Sequence, residues 1–261
     1  MNSVRDAMFR LENVSKRFGE MTALSPLSFQ VRRGETVALI GPSGAGKTTL
    51  LNILARQIRP DTGLIEVDGE PISSFKNNRQ FARKVGMIRQ QFDLVGQLPV
   101  IHNVLAGRLG EWGLAKSLLS LVIPQERNLA IRALERVGLG EKLYEKTSNL
   151  SGGEQQRVAL ARLLVQRPEA ILADEPVSSL DPARAEDVLA MLTRLVREEG
   201  QTLIASLHTV EYAKKYFHRL IALREGRIFF DLPASEVHAQ QLEQLYHLME
   251  PSHGTKNPAT S

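Results

Sequence analysis

The sequence predicts an α/β fold, a parallel-sheet core carrying a long α-helical insertion, and three observations predict it. Residues 36–40, Thr-Val-Ala-Leu-Ile, form a short apolar run of the kind buried on both faces of a sheet, and glycine-rich residues follow. Two further runs of that kind, 170–173 and 202–207, lie in the second half of the chain. Between them, residues 98–166 are mostly helical in pattern, with apolar positions recurring at Leu129, Leu134 and Val137. Strands alternating with helices on either side of a helical block imply a core interrupted by a helical subdomain.

Taken in order, residues 9–14 and 27–31 alternate apolar and polar side chains and predict half-exposed strands. After the buried run at 36–40, residues 48–56 carry leucines at helical spacing. Turn signals at Asp61-Thr62-Gly63 and Asp68-Gly69 flank Leu64-Ile65-Glu66-Val67, which predicts a small antiparallel piece beside the core. The chain shows no internal repeat. The expected division is one domain over residues 8–250, its core about 8–90 and 167–235 and its helical subdomain about 91–166. The polar tail 251–261 is expected to be disordered.

Composition narrows the class. The net charge is only +4, and the basic residues are scattered rather than gathered into a stripe, which speaks against a nucleic-acid interface. The chain has no cysteine, which excludes disulfides and thiolate metal sites. Residues 1–10 offer no apolar stretch suited to secretion, and the most apolar segment, 114–123, is interrupted by Lys116, Ser117 and Ser120 and is too short to span a bilayer. A soluble, cytoplasmic protein is expected, with any membrane role exercised through a partner.

Gly41-Pro42-Ser43-Gly44-Ala45-Gly46-Lys47-Thr48 fits the phosphate-loop pattern GxxxxGK[ST] throughout, and it lies between an expected strand and an expected helix. The glycines would let successive backbone N–H groups turn toward phosphate oxygens. Lys47 would neutralise the β- and γ-phosphates, and the hydroxyl of Thr48 would hold Mg²⁺, with Thr49 beside it at the positive end of the helix. As an exposed loop residue, Lys47 is expected to contribute little to stability.

A second acidic site fits this one. In Ile171-Leu172-Ala173-Asp174-Glu175-Pro176 a buried strand ends in two carboxylates. Asp174 would bind Mg²⁺, and Glu175 would orient or deprotonate the attacking water. Alone, such a strand end reads as a solvated loop. Downstream of a phosphate loop, it reads as the acidic half of a nucleoside triphosphatase.

Leu150-Ser151-Gly152-Gly153-Glu154-Gln155-Gln156-Arg157 then closely resembles the signature of ABC-transporter ATPases. Ser151 and Glu154 also suit a helix-capping box, which accounts for those two residues but not for the paired glycines. Glu154 stands where glutamine is commonest in that family. The resemblance covers about residues 9–231 and implies a P-loop NTPase (RecA-like) core with an antiparallel β subdomain and an inserted α-helical subdomain. It also implies further roles. Gln90 matches the glutamine that senses Mg²⁺ and water, although Gln91 is its neighbour and Arg89 replaces a residue that is often aromatic. Ser179-Leu180-Asp181 matches the loop that crosses to a second subunit, and His208 matches the switch histidine that contacts the γ-phosphate. Phe18 matches the residue that stacks on adenine, although in sequence it reads equally well as a core phenylalanine.

The same resemblance implies a head-to-tail pair in which Ser151, Gly152, Gly153 and Glu154 of one copy complete the ATP site of the other. It further implies transmembrane permease subunits docked near residues 91–108, indirectly a substrate-binding protein, and a peripheral place on the cytoplasmic face of the inner membrane. Residues 90–95 (QQFDLV), 104–110 (VLAGRLG), 173–181 (ADEPVSSLD) and 207–213 (LHTVEYA) look like the ATPases of bacterial phosphonate importers. The segment between Gly110 and Pro124, with Trp112 and a leucine cluster, resembles the insert of that group. The expected cargo is therefore a phosphonate or related phosphorus oxyanion. The alternatives are amino-acid or methionine import, lipoprotein release, cell division and, remotely, a soluble nucleic-acid-linked ABC ATPase.

Overall fold

Strand β3 (Thr36–Ile40) is buried at every residue, as its unbroken apolar run requires. The computed structural model describes residues 6–89, 91–113, 116–117, 119–120, 124–178 and 180–246. Gln90, Ser179 and the tail 251–261 lie outside the described residues.

Two sheets form the scaffold. In the first, β1 (Ala7–Phe18) pairs antiparallel with β2 (Met21–Arg32) on one side and with β4 (Thr62–Val67) on the other, and β5 (Glu70–Pro71) extends β4. The expected alternation is present in β1, but Asn13 sits at a φ of 51° and the register shifts between Leu11 and Val14. That bulge returns Val14 to the buried face three residues after Leu11 instead of two.

The second sheet has the order β10-β9-β3-β8-β7-β6. Here β6 (Val85–Ile88), β7 (Ala170–Asp174), β8 (Thr202–Ser206), β3 and β9 (Arg219–Arg224) run parallel, and β10 (Arg227–Pro233) folds back on β9 as an antiparallel edge. Helix α1 (Lys47–Leu54) buries Leu50, Leu51, Ile53 and Leu54 in the cluster that also holds Val37 and Leu39 of β3 and the inner face of the first sheet. It ends two residues short of the expected 48–56. Arg56 takes a left-handed φ of 60° there, and the bonds from Arg56 N to Ile53 O and Gln57 N to Asn52 O close the last turn.

Ala38 and Ile40 face the other side of the sheet, toward the helices. Helix α2 (Asn78–Lys84) precedes β6 and lies outside the expected helical block, which resolves into α3 (Val100–Leu105), α4 (Arg127–Arg136) and α5 (Gly152–Gln166). Val104, Leu134, Val137 and Leu160 from this region share one hydrophobic cluster with Ile171, Ala173 and Ala205 of the sheet. Helices α6 (Pro182–Glu198), α7 (Val210–Tyr216) and α8 (Ala239–Tyr246) complete the layer. Among the described residues no helix is long and apolar enough to cross a membrane.

Candidate functional site

The neighbouring strands β3, β8 and β7 are parallel and in register, so their C-terminal ends stop side by side. Leu39 and Asp174 both lie opposite Ser206. Ligands of open α/β sheets bind beyond such strand ends, and the predicted phosphate loop leaves β3 at this edge.

Two glycines of the loop are needed for close approach to the scaffold behind it. Gly41 has a φ of 138°, and a Cβ there would lie 2.0 Å from the carbonyl oxygen of Leu223 on β9. Gly46, with a φ of 101°, would place one 2.6 Å from the carbonyl oxygen of Ala23 on β2. Beside the phosphate approach expected of the loop's glycines, these two are required by the loop's fit to its own sheets. Ser43 and Gly44 are exposed, Pro42 and Thr49 are half-buried, and Ala45 is buried.

Lys47 is buried, with 5% of its surface accessible, and this corrects the expectation of an exposed loop lysine. Its Nζ donates to Gly41 O at 2.7 Å and to Pro42 O at 3.0 Å, so the ammonium is wrapped by the loop it belongs to. Burial pushes the lysine's pKa down, and the charges of Glu175 and Asp174 oppose that shift.

Asp174 Oδ1 accepts from Thr48 Oγ1 at 3.1 Å and from Ser206 Oγ at 2.8 Å. Glu175 follows with a φ of 47°, a left-handed conformation uncommon outside glycine. Its backbone N–H donates to Ser206 Oγ at 2.8 Å, and its Oε1 accepts from His208 Nε2 at 2.5 Å. The Glu175 side chain is 22% exposed and that of His208 45%, and both border an open cleft of about 230 Å³. The structure thus gathers Gly41 to Thr48, Asp174, Glu175 and His208 at one edge. It adds Ser206, whose only sequence signal was a polar residue inside the expected buried strand 202–207.

The other described candidates sit on other elements. Phe18 is 45% exposed, which excludes the core-phenylalanine reading, and the ammonium of Lys16 lies 5.4 Å from its ring centre. Ser151 caps α5. Its Oγ accepts from Glu154 N at 3.4 Å, and Glu154 Oε2 accepts from Ser151 N at 2.8 Å. That backbone bond and the serine hydroxyl hold the Glu154 carboxyl below its ordinary pKa. A Cβ on Gly152 would meet nothing within 4 Å, and one on Gly153 only the side chain of Arg184 at 3.9 Å. Packing within the chain therefore does not require either glycine. Asp181 caps α6 by accepting from Arg184 N at 3.1 Å. In the loop that leads into the helical region, Phe92 and Asp93 are both left-handed, and Arg162 of α5 donates to their carbonyls at 2.8 and 2.9 Å.

The pattern that defines the ABC transporter family matches residues 24–178, more than half of the chain. The chain is 51% identical over 227 residues to a protein of Pseudomonas aeruginosa named Phosphonates import ATP-binding protein PhnC 1, covering 86% of this chain and 85% of that one. A protein of Anaeromyxobacter dehalogenans named Phosphonates import ATP-binding protein PhnC is 44% identical over 251 residues, 95% of this chain, and the match spans 49% of that relative's length. A solved ATP-binding cassette, described as a dimeric post-hydrolysis state bound to ADP and phosphate, superposes with a TM-score of 0.72 at 30% identity, over 87% of this chain and 99% of that one. With the phosphate loop, the two carboxylates and the signature helix placed as described, the chain belongs to the ABC transporter family of ATP-binding cassettes.

Proposed function

We propose that this chain is the ATP-hydrolysing subunit of an importer for phosphonates or a related phosphorus oxyanion, working as a head-to-tail pair on the cytoplasmic face of the membrane. The convergence of Lys47, Thr48, Asp174, Glu175 and His208 at one sheet edge carries the hydrolytic part of this reading. The names of the relatives support the cargo.

Thr48 Oγ1 and Asp174 Oδ1 offer two hard oxygen donors 3.1 Å apart, a set that suits Mg²⁺. Among the described residues no cluster of three or more His, Asp or Glu side chains could hold a metal, which fits an ion held chiefly by phosphate oxygens and water. Thr48 and Asp174 would hold Mg²⁺, which would supply charge neutralisation to the triphosphate. Lys47 exchanges its two loop carbonyls for phosphate oxygens. Glu175 takes the proton of the attacking water, and His208, already bonded to that carboxylate, orients it and reaches the γ-phosphate. The exposed ring of Phe18 stacks on the adenine. Gln90 senses metal and water by its motif position.

Ser151, Gly152, Gly153, Glu154 and Asp181 serve the nucleotide of the second copy, and the two open glycines leave room for its phosphates. Residues 91–108 present the docking surface for permease subunits, which in turn receive cargo from a substrate-binding protein. Arg162 ties the start of that surface to the signature helix, so nucleotide-driven movement of α5 reaches the permease.

The test is Glu175→Gln. It keeps shape but removes the base, so ATP binding should persist while turnover falls by about 10²-fold or more. Light scattering with ATP and Mg²⁺ should then find a dimer. In vesicles carrying the whole transporter, wild-type ATPase should rise with an alkylphosphonate-loaded binding protein and stay flat with amino acids. Wild-type turnover by Glu175→Gln would remove the hydrolytic assignment, and stimulation by amino acids alone would remove the cargo.

A further inference from the structure

We infer that Ser206, which no motif marks, is a positioning residue that sets Glu175 and Asp174 relative to each other through a single hydroxyl. The inference rests on the hydrolytic reading above. Ser206 is the last residue of β8 and is fully buried, and every other residue of that strand is buried too. Its hydroxyl has one proton to donate and lone pairs to accept with, and both uses are filled. It donates to Asp174 Oδ1 at 2.8 Å and accepts from the backbone N–H of Glu175 at 2.8 Å. Thr48 Oγ1 bonds the same carboxylate oxygen. One oxygen atom therefore links the residue assigned to metal binding, the residue assigned to water activation and, through Asp174, the end of the phosphate loop.

The backbone of Glu175 needs such a link. A φ of 47° in a non-glycine residue persists only where the surroundings hold it. The end of β8 and the residues just beyond it supply that hold from two sides. Ser206 takes the N–H of Glu175, and His208, two residues on, takes its carboxylate. Between them Leu207 is buried, and its N–H donates to Leu39 O of β3 at 3.0 Å. The segment that grips Glu175 is thus anchored to the strand that launches the phosphate loop. The geometry follows from strand order. Asp174 and Ser206 are opposite each other in the β7–β8 pairing, so a small hydroxyl at 206 meets the carboxylate and the next peptide N–H together. An alanine there would free both.

Ser206→Ala is the test. Displacing a reacting group slightly can cost up to about 10²-fold in rate, so kcat should fall about 10- to 100-fold. Losing a hydrogen bond to a metal-binding carboxylate typically costs about 10-fold or more, so the Mg²⁺ concentration for half-maximal ATPase should rise by about that factor. The affinity of Mn²⁺ for the protein–nucleotide complex, read by electron paramagnetic resonance without turnover, should weaken in parallel. Binding of a fluorescent ATP analogue in EDTA should be unchanged. Ser206→Thr keeps the hydroxyl and should recover most of kcat. Ser206→Cys, close in size with a weak donor, should fall between serine and alanine and covers the case in which the threonine methyl does not fit.

Wild-type kcat and metal dependence in Ser206→Ala would overturn the inference. So would a loss of metal-free nucleotide binding equal to the loss of kcat, since that is the mark of a general structural role. Glu175→Gln measured alongside separates the two readings. If it turns over as wild type, the site assignment fails. If it is inactive while Ser206→Ala is normal, only the role of Ser206 fails.

Discussion

The ammonium of Lys47 donates to the carbonyls of Gly41 and Pro42 and is shielded from water by the loop around it. Lys47→Ala therefore has two consequences where the sequence suggested one. It removes the charge that would meet the β- and γ-phosphates, so ATP affinity should fall sharply. It also strips two partly buried carbonyls of their donor, which should cost about 1–2 kcal/mol of folding stability. Nucleotide titration and urea unfolding measure the two separately. Unchanged ATP affinity would remove Lys47 from the role given to it, and unchanged stability would mean that water replaces the lost donor. The motif residues of the site were legible because local strings carry them: 41–48, 150–157 and 174–175 each declare themselves within a few positions. Ser206 and Arg162 were not. Their partners lie 32 and 31 positions away for Ser206 and 70 and 69 for Arg162, so only strand register and helix packing bring them together. Phe18 is the opposite case, since its type was legible and its exposure was not.

Helix α5 begins with a reciprocal cap that the sequence announced, Ser151 with Glu154, and the carboxylate is held below its ordinary pKa by the N–H of Ser151. A depressed folded-state pKa means that the charged form stabilises the fold above the ordinary carboxylate range. That contribution is lost as pH falls through the folded value. Glu154→Gln keeps an acceptor for Ser151 N but has no proton to gain. Its thermal midpoint should therefore drop less than wild type between pH 7 and pH 3. An equal drop would show that the charge adds nothing to the cap. Legibility of the other elements depended on burial. Strands β3, β7 and β8 are covered on both faces and read as plain apolar runs. Strand β6 has only four residues and includes Gly86, where a Cβ would lie 2.7 Å from the side chain of Leu163 and 2.9 Å from that of Pro168. Edge strand β10 is only partly buried along its length, so neither a run nor an alternation marked it. The helical block was read as one stretch because apolar spacing says nothing about where α3, α4 and α5 are separated by loops.

At the scale of the molecule, the described residues place the phosphate loop, Asp174, Glu175 and His208 at one sheet edge, while Ser151 and Glu154 close a capping box at the start of α5. The proposed head-to-tail pair has the signature helix act on the nucleotide of another copy, which a closed two-fold pair would permit twice over. Mixing Ser151→Arg chains with Glu175→Gln chains tests this. In a mixed pair one composite site carries both defects, and the other carries neither. Each pure variant should be nearly inactive, and ATPase of the assembled transporter should reappear on mixing. At equal amounts half of the pairs are mixed and half of their sites intact, so recovery should approach about a quarter of wild type if one site turns over alone. The converse mixture pairs wild-type chains with chains carrying both substitutions. There every mixed pair has one defect in each site, and activity should fall faster than in proportion to the wild-type share. A site completed within one chain makes the opposite forecast on both counts. The first mixture would stay inactive, and the second would lose activity only in proportion. Strong ATPase in either pure variant would sink the assignment of Ser151 or Glu175 outright.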